Sequence, residues 1–246
     1  MAAGMMKVGT FMGLRWQAEM NRLHLIGRMT FRNSPILFTA GDSHSRVVLG
    51  TPGTEVLHFG AVTLHRLSRP GELVCLLARS LTPVPRLGLK SALHFIRPSD
   101  SLVVFAGEID VRVHFQRAVR TDPIEYTHAL AKRFAQQIQL VNAITGARVA
   151  IASITPPIYG NGRQETELPI NGTFQQRIEW TRMMNQALAD SGAPFVDCFD
   201  AYADSCGALR GEVVDETVHI RLDCNTAVIE SLSSAGLFQG SIPTSR

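Results

Sequence analysis

Short apolar runs alternate with longer stretches of helical period along the chain. Residues 36–40 (ILFTA) sit between Pro35 and Gly41, a length and flanking that suit a strand buried on both faces. The same reading places strands over 54–59 (TEVLHF), 102–106 (LVVFA), 148–153 (RVAIAS) and 194–196 (PFV). Between them, Leu73, Leu76, Leu77 and Leu81 follow Pro70-Gly71 at helical spacing, until Pro83 and Pro85 break the pattern. It partly resumes over Leu93, Phe95 and Ile96 and stops at Pro98. Asp122, Pro123 and Glu125 form a helix-start signal. Ile124, Ala131, Phe134, Ile138 and Val141 carry that helix to about Thr145, and Gly146 closes it. A second long helix runs through Phe174, Ile178, Thr181, Asn185 and Leu188 to Gly192, and a short one follows residue 225. Strands alternating with helices imply βαβ units and a mostly parallel sheet.

Composition narrows the picture. With 246 residues, 45% of them hydrophobic, the chain can bury one sizeable core as a single α/β domain. Neither a repeat nor a linker divides it. The formal charge of +3 is small and dispersed, which excludes a nucleic-acid stripe. No apolar run approaches the roughly 20 residues of a membrane span. The four cysteines, at 75, 198, 206 and 224, show no paired spacing, so no zinc site is expected and the thiols read as free in a cytoplasmic protein. Residues 1–34 hold Lys7, Arg15, Arg22, Arg28 and Arg32 against one acid, Glu19. They read as a basic, loosely attached extension ahead of a domain over 35–246.

Candidate chemistry gathers at strand ends, where open α/β sheets place their crevice. Gly41 turns the chain after the first strand and delivers Asp42, Ser43 and His44. Alone, Gly-Asp-Ser is a turn of turn formers. Gly60 ends the second strand, where it serves either a turn or a close backbone approach to a ligand. The third strand ends in Gly107-Glu108-Ile109-Asp110. Carboxylates there need partners, and Arg112 and His114 are at hand for a structural ion-pair cluster. The 18 residues 155–172, rich in Pro, Gly and polar side chains, read as a substrate-covering loop. Near the end, Asp215 and Glu216 precede His219. A serine hydroxyl needs a base to become a nucleophile, and a histidine oriented by an acid supplies one.

In that order the segments GDSHS (41–45), HFGAVTLH (58–65), FAGEID (105–110) and DETVHI (215–220) resemble the blocks of the SGNH hydrolases, the GDSL esterase/lipase family. The resemblance spans roughly residues 35 to 235. It implies a flavodoxin-like three-layer α/β/α fold with an open site. It further implies a serine-dependent ester hydrolase, with Ser43 as nucleophile, His219 as base and Asp215 as orienting acid. Glu216 is the alternative acid, since it keeps the family's two-residue spacing. Gly60 would donate a backbone N–H to the oxyanion, and Gly107, Glu108 and Asp110 occupy the third block.

One departure stands out: the family's oxyanion-donating asparagine aligns with Ile109, which has no donor. The absence of G-x-S-x-G, of G-x-x-x-x-G-K-[ST], of a complete G-x-G-x-x-G and of H-E-x-x-H disfavours an α/β-hydrolase elbow, nucleotide binding and zinc hydrolysis. The expected partner is a small-molecule or glycan ester, with no metal or organic cofactor. Acyl transfer by the same residues, or a non-catalytic carbohydrate- or ligand-binding domain, are the other readings.

Overall fold

The computed structural model describes residues 32–49, 51–79, 92–118, 122–159, 170–215 and 218–239. Five strands, β1 (Leu37–Gly41), β2 (Thr54–His58), β3 (Ser101–Phe105), β4 (Arg148–Ala152) and β5 (Phe195–Val196), form one sheet in the order β2-β1-β3-β4-β5. Every pairing is parallel. All five residues of β1 and of β3 are buried, as strands covered on both faces require.

Alternation sends their side chains into two separate cores. Phe38, Ala40, Leu102, Val104, Val149 and Ile151 pack on one side. That side is covered by α1 (Leu64–Leu67), α2 (Glu72–Arg79), α4 (Pro123–Thr145) and α5 (Phe174–Ala189); α3 (Phe115–Ala118) leads into α4. Leu37, Val103, Phe105, Ala150 and Ala152 face the other side. There they meet Val47, Val48, Tyr202 of α6 (Phe199–Tyr202) and Val228, Ile229 and Leu232 of α7 (Thr226–Ser234). Each fully buried Leu or Phe contributes about 1.5–3 kcal/mol, so both faces hold the sheet. The result is a three-layer α/β/α sandwich.

The helix ends follow the sequence closely. The Asp122 carboxylate accepts from the N–H groups of Ile124 and Glu125, and Gly146 closes α4 in the left-handed conformation. Thr173 and Gln176 form a reciprocal cap on α5. Two stretches differ from expectation. Of the helix read over 70–81, residues 72–79 form α2, while Leu81, Pro83 and Pro85 lie outside the described residues. Arg32, read as part of the loose extension, belongs to the folded body. Its guanidinium pairs with the fully buried Asp100 and donates to the Phe95 carbonyl at 2.8 Å. Asp100 also accepts from Ile36 N at 2.9 Å, fixing the entry to β1. The rest of that extension, residues 1–31, lies outside the described residues.

The strand order changes direction at β1. The chain runs from β1 outward to β2, then returns to the opposite side for β3. Such a switch point opens a crevice past the carboxyl ends of the strands.

Candidate active site

Gly41 makes the approach to this crevice possible. Its φ is +127°, and a Cβ placed there would lie 1.9 Å from the Phe105 carbonyl oxygen, so no other residue fits. Asp42 N–H then donates to that same oxygen at 3.1 Å. The Asp42 side chain, 1% exposed, caps the following 3₁₀ turn Ser43–Val48 by accepting from His44 N at 2.9 Å. That turn leaves Ser43 half-buried at the mouth of the crevice.

His219 reaches Ser43 from 176 residues further along the chain. The segment before it folds back on itself: Val214 bridges Ile220 in antiparallel fashion, Asp215 N donates to the His219 carbonyl at 2.8 Å, and His219 N donates to Asp215 Oδ1 at 3.1 Å. This clasp sets the Asp215 Oδ2 3.3 Å from His219 Nδ1. The opposite ring nitrogen, Nε2, stands 2.6 Å from Ser43 Oγ. With the ring proton on Nδ1, Nε2 accepts from the serine hydroxyl and Nδ1 faces the carboxylate. Burial, and then the charge of His44, draws the His219 pKa below its ordinary 6.5, against the opposing pull of Asp215 and Glu108. The ring is therefore neutral at pH 7, as a base must be. Glu216, the alternative acid, lies outside the described residues.

Ser43, His219 and Asp215 line a cavity of about 470 Å³. Val47, Phe105, Ile220, Leu222 and Val228 give it a largely apolar wall. Ser153, Thr155 and Cys198, from the ends of β4 and β5, close its far side. The Thr155 Oγ1 is buried and has no hydrogen-bond partner among the described residues. The Cys198 thiol is pushed up to about 11, mainly by burial.

The third-block residues do not line this cavity. Glu108 forms a two-pronged pair with Arg112, through Nε to Oε1 and through Nη2 to Oε2 at 3.1 Å. Asp110, 2% exposed, accepts from Leu64 N at 2.5 Å and His65 N at 3.0 Å, so it fastens the start of α1. Burial raises its pKa from 3.8 to about 7, against the pull of those two donors. Gly107 has φ +118°, and a Cβ on it would press on Ile154 Cδ1 at 2.5 Å; its task is close packing between β3 and β4. Ile109 is buried. After it the backbone widens into a π-helical turn, Asp110–His114, where Arg112 and Val113 carbonyls accept from Asn171 N at 2.8 Å and Nδ2 at 2.7 Å.

Gly60 follows the end of β2, beside β1, and Phe59 N donates to Gly41 O at 2.8 Å. Gly60 has φ +78°. Neither its N–H nor that of Ser43 makes a hydrogen bond among the described residues. The covering loop read over 155–172 is described only at its two ends, 155–159 and 170–172. Among the described residues no group of three His, Cys, Asp or Glu side chains is placed to hold a metal ion, and no helix is long and apolar enough to cross a membrane.

Sequence reasoning named His44 only as a turn residue and did not place Ser153 or Thr155 at the cavity they line. His44 had a local signal, an aspartate two residues before it. Ser153 and Thr155 had none beyond lying at a strand end.

No protein-family model and no curated protein sequence matches the chain. Solved structures do. A candidate platelet activating factor from Streptococcus pneumonia superposes with a TM-score of 0.53 at 16% identity, over 92% of this chain and 99% of that one. A candidate acylhydrolase from Bacteroides fragilis gives 0.52 at 16%, over 85% and 92%. A GDSL-like lipase from Bacteroides thetaiotaomicron gives 0.51 at 16%, over 88% and 97%. The chain shares the three-layer fold of these proteins.

Proposed function

We propose that the protein is a serine-dependent hydrolase of ester bonds. The 2.6 Å approach of His219 Nε2 to Ser43 Oγ, with Asp215 behind the ring, carries the reading. Ser43 Oγ attacks the ester carbonyl carbon while its proton passes to His219 Nε2. The new oxyanion is received by the backbone N–H groups of Ser43 and Gly60. Collapse breaks the bond to the alkoxy oxygen, which takes the proton from His219 and departs as the alcohol. Water, activated by the same ring, then releases the acid from Ser43. Asp215 holds the ring with its proton on Nδ1.

The acylhydrolase and lipase names of the similar folds agree with this chemistry. The apolar wall favours an apolar acyl group over a sugar. With Ile109 where a side-chain donor would stand, the rate is expected to fall about 100- to 1000-fold short of a site with the extra donor.

A fluorophosphonate probe and a series of nitrophenyl acyl esters test the proposal. Wild type should be labelled and hydrolyse the esters, and Ser43→Ala should do neither. Activity should rise with pH through an ionisation below 6.5, the limb set by His219. A folded wild-type protein that neither labels nor turns over would point instead to a ligand-binding domain. Full activity in Asp215→Asn would transfer the acid's role to another residue.

A further inference from the structure

The loop after β1 carries more than a nucleophile. His44, 7% exposed, lies against His219 with ring centroids 4.9 Å apart and planes tilted by 58°. Its Nδ1 stands 3.3 Å from Asp42 Oδ1, and its Nε2 is 3.4 Å from the Val218 carbonyl oxygen. Both ring nitrogens thus face oxygen atoms, and although Nδ1 completes no hydrogen bond among the described residues, the nearby carboxylate and carbonyl favour the doubly protonated ring electrostatically. The two halves of the site mirror each other. Asp42 is to His44 what Asp215 is to His219, at the same 3.3 Å separation, and the two rings meet in the middle.

Resting on the reading of His219 as general base, we propose that His44 is a second functional histidine, a buried imidazolium clamped by Asp42 whose charge acts through the His219 ring. It is a positioning residue, since it touches no reacting atom. Its effect is to keep the neighbouring base free of a proton in mildly acidic solution, and so to extend the working range of the site downward in pH.

The surrounding charges are consistent with a cation there. Asp42 faces His44 from its own turn, Glu108 from the loop after β3, and the Val218 carbonyl from the segment that carries His219. Asp215 and Glu108 face His219 and oppose the effect, while Arg112 holds Glu108. Arg46, Arg221 and Asp223 also line the cavity, with Arg221 paired to Asp223. Burial pulls the His44 ring down, but Asp42, Glu108 and Val218 outweigh it and raise its pKa from 6.5 to about 9. Two like charges this close cannot both be comfortable, so the protons are shared unequally. His44 keeps its proton because the carboxylates of Asp42 and Glu108 and the Val218 carbonyl together outweigh its deeper burial.

The experiment is a nitrogen-15 histidine titration of the full chain, paired with kcat/KM profiles, on wild type, His44→Gln and His44→Lys. In wild type, His44 should remain an imidazolium through pH 7 and lose its proton on the alkaline side, with His219 titrating below 6.5. His44→Gln should raise the His219 midpoint by on the order of one unit. The acid limb of kcat/KM should move with it, giving a loss approaching tenfold on the acid side that shrinks as pH rises. His44→Lys, which restores a charge, should return the limb toward its wild-type position.

A neutral His44 at pH 7 in wild type overturns the proposal without any variant, and so does an unmoved His219 midpoint in folded His44→Gln. If wild type shows no hydrolysis and no probe labelling, the esterase reading fails by itself. The His219 midpoint still reports whether the charge acts.

Discussion

The loops that follow β1 and β3 leave adjacent strands in the same direction, and each places an acid within five residues of the strand end. They use their polar groups in opposite ways. After β3, Glu108 is closed onto Arg112 and Asp110 onto two backbone N–H groups. After β1, the Asp42 carboxylate caps its own turn and so holds Ser43 toward the cavity and His44 toward His219. A carboxylate past a buried strand is therefore no sign of chemistry in itself. What separates the two loops is whether partners near in sequence or packing consume it, or whether it serves to present another group.

The largest effect should come from the open loop. Ser43→Ala should lose at least about three orders of magnitude in kcat/KM, with the melting temperature unchanged. Equal loss of activity and stability would mean that this loop is as structural as its neighbour. Next comes the closed loop. Glu108→Gln removes the carboxylate that pairs with the buried Arg112, and should cost about 3 kcal/mol in denaturant unfolding. Arg112→Ala should resemble it, with activity lost only in step with folding. A stable Glu108→Gln protein with a higher rate would place that carboxylate in the chemistry after all.

Smaller still is Asp110→Asn, expected to cost about 1 kcal/mol, since the amide retains one acceptor for the start of α1. Its pH signature is more telling. The folded pKa of Asp110 is raised to about 7, so the folded chain holds this proton more tightly than the unfolded one. The resulting stabilisation is complete below about 4 and is lost as pH rises through 7. Stability curves of Asp110→Asn should lack that decline. His44 acts in the same direction at higher pH. Its folded pKa of about 9 gives stabilisation that is full below 6.5 and gone once pH has passed 9, and His44→Gln should flatten that part of the curve.

Much of this architecture was legible in the sequence because it depends on local rules. Short runs of five or six residues marked the four longer strands, and Asp122 and Gly146 sat where caps were required. The order of Ser43, Asp215 and His219 along the chain pointed to residues that the fold brings together. Long-range pairing was less accessible. Nothing local to Asp110 announces that Leu64 and His65 present their N–H groups to it, 46 and 45 residues away. The π-helical turn was also hidden, since its carbonyls are satisfied by Asn171 from beyond α4. His44 read as one more turn residue because the ring it meets lies 175 positions later.

The thiols offer a practical handle on this site. Cys75 and Cys206 are exposed, while Cys198 lies in the cavity wall with its ionisation pushed up to about 11. Only thiolates react readily with maleimides, so near neutral pH a fluorophore would attach at the surface positions and leave the cavity thiol untouched. Replacing Cys75, Cys206 and Cys224 by Ser together would then leave Cys198 as a slow reporter of the chamber. Its alkylation rate should fall when an acyl group fills the space beside Ser43, giving an occupancy signal that needs no turnover.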